Sequence, residues 1–139
     1  MAIHFSSHRT SFKLTNPKKT AAWIEKVVKA EKFKIGSLSY VFCTDKYLLE
    51  INQQYLNHDT LTDIITFDFT ESDSGLLEGE IYISIPRVRE NAKNLELEFT
   101  KELRRVMIHG VLHLVGYGDK GKKEKEVMRR MEDKYLGRL

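Results

Sequence analysis

Two histidines and an aspartate near the C-terminus have the types and the spacing of metal ligands. His109 and His113 are four residues apart in the apolar run 106–115, so a helix there places both imidazoles on one face, one turn apart. Gly116 follows and suits the left-handed residue that ends many helices, which lets the chain turn and bring Asp119 back toward the histidines. Zinc binds imidazole nitrogen and carboxylate oxygen in a tetrahedron, and catalytic sites keep the fourth position for water. The spacing therefore predicts one zinc ion held by His109, His113 and Asp119.

A purely structural interpretation of the same residues stays open. Buried histidines can be hydrogen-bonded core residues, and Asp119 can be an ordinary turn residue in the glycine-rich segment 116–121. Two imidazoles inside an apolar helix both need partners, however, and a single metal ion supplies one to each. The combined pattern favours the metal site.

The same spacing is similar to the zinc signature of metzincin proteases, in which a glutamate after the first histidine acts as the general base. Gly110 occupies that position in this chain. Without a carboxyl group there, the usual route to peptide-bond hydrolysis is missing, and a protease is disfavoured.

Strands and helices alternate before this segment and must position it. Periodicity and turn residues predict strands at 3–7, 36–44, 62–70 and 81–85, and helices from the N-cap Asn16 to about 33, at 45–56, from Pro86, at 100–114 and at 121–136. Residues 62–70 and 81–85 alternate with period two and are expected to form a hairpin across the loop 71–79. Helix 100–114 is apolar on most faces and should be buried, whereas helix 121–136 is amphipathic and should cover it.

Length and composition indicate one domain. With 139 residues, 41% of them hydrophobic, we expect a single domain over residues 1–139. The sequence has neither a signal-peptide pattern nor an apolar stretch of membrane-spanning length. The single cysteine, Cys43, leaves no partner for an internal disulfide, which favours a reducing, cytoplasmic compartment. Cys43 itself is expected to be a buried core thiol.

Positive charge is concentrated in the last part of the chain. Residues 101–139 carry 11 basic and 6 acidic side chains, whereas residues 1–100 carry 12 and 14. Such an excess attracts a polyanion, so Lys122, Lys123 and Lys125 are candidate RNA-binding residues. The alternative is a solvated helix face in which acidic residues are interspersed.

Three segments resemble the YbeY family of bacterial ribosomal-RNA maturation factors. His109-Gly-Val-Leu-His-Leu-Val-Gly-Tyr117 matches the most specific family motif, Thr62-Asp-Ile-Ile-Thr-Phe67 is similar to its Thr-Asp-Val-Leu-Ser-Phe strand, and Gly79-Glu-Ile81 is similar to its Gly-Asp-Ile. The resemblance implies an α+β fold in which a small mixed β-sheet packs with helices and the metal site lies on a buried helix. It also implies a metal-dependent, single-strand-specific endoribonuclease, with ribosomal RNA or the small ribosomal subunit as partner and with no role for DNA or membranes.

The same resemblance gives the strand 62–70 a place in the site. The strand would run along the cleft, with Thr66 and Asp68 on the cleft side and Phe67 and Phe69 in the core.

Two positions depart from the family pattern. The family reads Gly-Tyr-Asp-His where this chain reads Gly116-Tyr-Gly-Asp119, so a carboxylate replaces the third histidine ligand. An arginine normally follows the tyrosine before the Thr-Asp strand, but here Leu56 follows Tyr55. His58 is close enough in sequence to supply a proton or a phosphate contact instead, and is otherwise an exposed loop residue.

These departures keep two other functions open. One is a ribosome-associated assembly factor with a mainly structural metal, which binds RNA without cutting it. The other is a metal-dependent hydrolase of some small phosphate or amide substrate, because pocket shape is not visible in a sequence.

Overall fold

A computed structural model describes residues 2–57, 61–71 and 73–138 of the chain. Four strands and five helices lie within these residues. In chain order they are β1 (Ala2–Ser7), α1 (Pro17–Ala30), β2 (Lys34–Cys43), α2 (Asp45–Leu56), β3 (Ile64–Asp68), β4 (Leu76–Ser84), α3 (Ile85–Asn94), α4 (Phe99–Leu114) and α5 (Gly121–Leu136). The expected α+β fold class is confirmed.

The strands form one small mixed sheet in the order β1-β2-β4-β3. β2 is parallel to both β1 and β4, whereas β3 is antiparallel to β4, so the predicted hairpin is present. Ile64 pairs with Ile83 and Asp68 pairs with Gly79. β3 is therefore an edge strand, and its side chains border the space beside α4.

Helices cover both faces of this sheet. The larger core joins β2 and β4 to α1, α4 and α5, with Leu38, Ile81 and Ile108 fully buried in it. A smaller cluster under α2 contains Ile65 and Cys43, whose predicted burial is confirmed. Within the described ranges, none of the helices is both long and apolar enough to cross a membrane.

Helix α4, which carries His109 and His113, is held in place from two sides. α4 is buried against the sheet as predicted, and α5 packs across it through Met128, Glu132 and Tyr135. The indole Nε1–H of Trp23 donates a 2.9 Å hydrogen bond to the Tyr135 carbonyl and so ties α1 to α5. The two histidines of α4 therefore project from a rigid support.

The first helix differs from the sequence prediction at both ends. It ends at Ala30 and not near 33, because Lys32 adopts a left-handed conformation with φ 70° that ends the helix. Phe33 still packs against the core, which is why its apolar character extended the predicted pattern. At the other end, Asn16 has φ 51° and its side chain makes no capping hydrogen bond, although Pro17 begins the helix as expected.

The edge strand is shorter than predicted, and the predicted burial of Phe69 in the core is wrong. Thr66 borders the cleft as expected and Phe67 is half-buried, but Phe69 lies beyond the end of β3 and is 56% exposed. Asp68 is also exposed, and its Oδ1 accepts a hydrogen bond from the Thr70 amide at 2.9 Å. The period-two alternation correctly predicts which face of the strand each side chain is on. It does not show where the strand ends, so it did not predict that Phe69 is exposed.

Candidate metal centre

Helix α4 presents both histidines to the same cleft. Their ring centroids are 4.6 Å apart, as expected for residues one turn apart on one helix face. The adjacent Gly110 faces the opposite way, toward the sheet, where an added Cβ would lie 3.0 Å from side-chain carbons of Ile64 and Ile81. A glutamate of the metzincin type has no room at this position, so the structure gives a steric reason for the glycine.

A tight turn after α4 returns the chain to the histidines. Gly116 has φ 114°, and its amide donates to the His113 carbonyl at 3.1 Å, while the Tyr117 amide donates to the Leu112 carbonyl at 2.9 Å. These two bonds form the Schellman arrangement that satisfies the last carbonyls of a helix. Asp119 follows directly and lies beside both imidazoles.

The three predicted ligands converge. Asp119 Oδ2 is 3.4 Å from His109 Nε2 and 3.5 Å from His113 Nε2. One ligand atom from each residue lies within 4.8 Å of the others, so this triad could hold a metal ion. Two imidazole nitrogens and one carboxylate oxygen are a donor set that suits zinc and related divalent ions. Asp119 is 42% exposed, which leaves the site open to a substrate or to water.

The other ring nitrogen of each histidine is already engaged. His109 Nδ1 lies 2.7 Å from Glu132 Oε2, and His113 Nδ1 lies 2.9 Å from the Tyr117 carbonyl oxygen. A carbonyl or an ionised carboxylate only accepts, so both Nδ1 atoms donate. Each neutral imidazole then carries its lone pair on Nε2, the nitrogen that faces Asp119.

The triad lies in a cleft of about 440 Å³ between β3, α4 and α5. Thr62, Asp63, Ile64 and Thr66 line it from the β3 side. The helices contribute Glu102, Arg105, Val106, Lys125, Met128, Arg129 and Glu132. Both signs of charge are therefore present around the ligands, with Lys125 and Arg129 supplying positive charge from α5.

Burial changes the proton affinity of several groups in the cleft. It raises the pKa of Asp63 and of Glu102 above the usual carboxylate values. Burial alone would lower the pKa of His109, but the hydrogen bond and the negative charge of Glu132, together with the negative charges of Asp119 and Asp63, outweigh it, and the pKa is raised. The neighbouring carboxylates thus favour the protonated form of His109, whereas burial favours the neutral forms of Asp63 and Glu102.

The predicted basic residues separate into different surfaces. Lys125 lines the metal cleft, and Lys122 lies beside it in a shallow groove with Arg129 and Arg130. Lys123 instead lies near Tyr117, on another side of α5. His58 lies outside the described residues, so its predicted role stays a prediction.

Sequence reasoning did not assign several charged residues of the cleft to the site. Glu132 contacts a predicted ligand, Arg105 and Arg129 are basic groups of the cleft in addition to Lys125, and Asp63 comes from the β3 side. Glu132 carried a detectable signal, since it shares the buried helical stripe of Met128 and Tyr135. Asp63 lies in the segment 62–67 that resembles the family strand, but its approach to α4 depends on tertiary packing, which the sequence pattern does not show.

Fold and site together define a small α+β protein with a candidate metal centre on a buried helix. The family model for endoribonuclease YbeY matches residues 3–139. A protein named endoribonuclease YbeY from Flavobacterium psychrophilum is 54% identical over 114 residues, covering 82% of this chain and 80% of that protein. Another of that name, from Amoebophilus asiaticus, is 47% identical over 96% of this chain and 90% of its own length.

A solved structure shares the fold. A Thermotoga maritima protein, determined in solution, superposes with a TM-score of 0.67 at 33% identity, covering 96% of this chain and 86% of that one. The chain belongs to the endoribonuclease YbeY family.

Proposed function

We propose that this protein is an endoribonuclease that cleaves single-stranded ribosomal RNA during ribosome maturation, using one zinc ion bound by His109, His113 and Asp119. The observation that carries this proposal is the convergence of Asp119 Oδ2 on both Nε2 atoms, at 3.4 and 3.5 Å, inside a cleft with basic side chains. Membership of a family whose relatives are named endoribonucleases supports RNA as the substrate. Ribosomal RNA is made and processed in the bacterial cytoplasm, which is the location proposed here.

Each part of the cleft has a role in this reaction. A zinc ion would supply Lewis-acid chemistry, by polarising a phosphoryl oxygen or by making water more acidic. Lys125 and Arg129 attract the phosphate backbone, and the Thr66 side chain borders its path along β3. A volume of about 440 Å³ is that of a small-ligand pocket, so it suits an unpaired nucleotide better than a duplex. His58 remains the candidate for proton transfer or a phosphate contact.

The proposal is tested by RNA cleavage with measured metal content. Purified protein is incubated with precursor ribosomal RNA, with a matched fully paired RNA and with single-stranded DNA of the same sequence. We expect cleavage only of unpaired RNA, its loss after chelation and its return with stoichiometric zinc. RNA binding without cleavage in every metal state would contradict the nuclease and favour the assembly-factor function. Cleavage that survives complete metal removal would contradict the role of the triad.

The basic side chains are tested by the salt dependence of RNA binding. Each phosphate contact on single-stranded RNA contributes about 0.7 to the slope of log affinity against log salt. Replacing both Lys125 and Arg129 with alanine should therefore lower that slope by about 1.4. Lys122→Ala should have a smaller effect. Lys123→Ala is the matched control, because it removes one charge from the same helix outside the cleft. A loss of about 0.7 with Lys123→Ala, which equals the loss per charge expected for the cleft residues, would place the RNA on another surface.

A further inference from the structure

A buried carboxylate supports the metal centre from behind. Glu132 Oε2 lies 2.7 Å from His109 Nδ1, and only 7% of the Glu132 side chain is exposed. Glu132 comes from α5, so this contact joins the metal helix to the helix that covers it. It is the one hydrogen bond in the described residues that links a side chain of α5 directly to a ligand of the triad.

The second oxygen of this carboxylate is also held. Arg105 Nη1 is 2.9 Å from Glu132 Oε1, and Arg105 Nη2 is 3.2 Å from Asp133 Oδ1. Glu102 Oε1 lies 3.7 Å from Arg105 Nε on the remaining side of the guanidinium. A buried carboxylate with a charged partner on one oxygen and an imidazole on the other has little freedom to rotate.

We infer that Glu132 is a positioning residue that orients His109 for the metal ion and strengthens it as a ligand. This inference rests on the proposed metal site. A carboxylate that accepts the Nδ1–H bond fixes the tautomer in which Nε2 carries the lone pair, and it makes that nitrogen more basic. His113 has only a carbonyl, that of Tyr117, in the same place. The two histidines therefore differ in the partner of Nδ1, which is a carboxylate for His109 and a neutral carbonyl for His113.

The test is metal affinity measured without RNA. Glu132→Gln keeps the shape of the side chain and removes its charge. Glu132→Asp keeps the charge beside Arg105 but withdraws it from His109. We expect both variants to bind zinc about 10–100-fold more weakly than wild type in chelator competition. The visible absorption of bound cobalt should shift as the geometry at His109 loosens.

Asp133→Asn is the matched control. Asp133 contacts the same Arg105, lies next in sequence and is 58% exposed, but it does not contact a histidine of the triad. Zinc affinity should be unchanged in this variant. Melting temperatures measured with and without zinc distinguish a positioning role from a purely structural one. A positioning role predicts a smaller zinc-induced rise in melting temperature in the Glu132 variants than in wild type.

The outcomes distinguish this inference from the proposed function. Wild-type zinc affinity in folded Glu132→Gln and Glu132→Asp would overturn the positioning role and leave the metal site intact. Equal losses in Glu132→Gln and Asp133→Asn would overturn it too, as would failure of both Glu132 variants to fold with zinc present. Absence of zinc binding in the wild-type protein would instead remove the proposed metal site itself.

Discussion

Gly110 allows helix α4 to pack closely against the sheet. The variant Gly110→Ala tests how much stability this close packing contributes. A Cβ at this position would lie 3.0 Å from Ile64 Cδ1 and from Cδ1 and Cγ2 of Ile81. Overpacking of a close-packed core costs about 1–3 kcal/mol. Alanine regains about 1 kcal/mol because it is a better helix former than glycine. We expect a net loss of about 1 kcal/mol, or about 3–5 °C in melting temperature for a domain of this size.

Urea unfolding of the metal-free protein measures this change, with fluorescence of the buried Trp23 and circular dichroism as probes. Gly137→Ala is the matched control, since its added Cβ would meet atoms only at 3.6 Å and its φ of −71° suits alanine. Ile81→Val removes one of the crowding methyl groups. The double variant Gly110→Ala/Ile81→Val should therefore be more stable than the sum of the two single effects predicts. Unchanged or higher stability in Gly110→Ala would refute the packing explanation.

Two further predictions concern charge near the triad. Asp119→His exchanges an anionic ligand for a neutral one, so a bound zinc keeps more positive charge and the pH profile of RNA cleavage should move to lower pH. An identical profile in both zinc-loaded proteins would contradict this reasoning. Burial raises the pKa of Glu102 above its usual value of 4.5, so protonation of this side chain stabilises the folded protein at acid pH. This stabilisation is lost as the pH rises through the raised pKa. Glu102→Gln should therefore gain stability relative to wild type between pH 4.5 and neutrality, measured by urea unfolding; a constant difference would oppose this.

Local signals in the sequence predicted most of the fold and the convergence of the three candidate metal ligands. Helical periodicity alone predicted that His109 and His113 share one helix face. The glycine that ends the helix indicated that the chain turns and brings Asp119 back toward them. The hairpin followed from the period-two alternation of two nearby segments. In each case the interacting residues are close in sequence, so local geometry determines their positions.

The features that sequence reasoning missed depend on packing between distant elements. Glu132 reaches His109 only because α5 lies across α4, and Asp63 reaches the cleft only because the edge strand passes beside that helix. Phe69 is exposed beyond the end of β3, and the alternation of the sequence does not show where the strand ends. Periodicity identifies a buried stripe, but it does not show which side chain the stripe will meet.

Metal content and RNA cleavage measured on the same samples test the central claim most directly. The comparison uses wild type and His113→Ala, each freed of metal and then titrated with zinc. We predict one zinc per wild-type chain, with cleavage of unpaired ribosomal RNA rising in proportion to occupancy. His113→Ala should bind zinc far more weakly and lack cleavage at the same zinc concentration. Equal zinc stoichiometry and affinity in both proteins, or full cleavage by the metal-free wild type, would contradict the claim that this triad holds the catalytic metal.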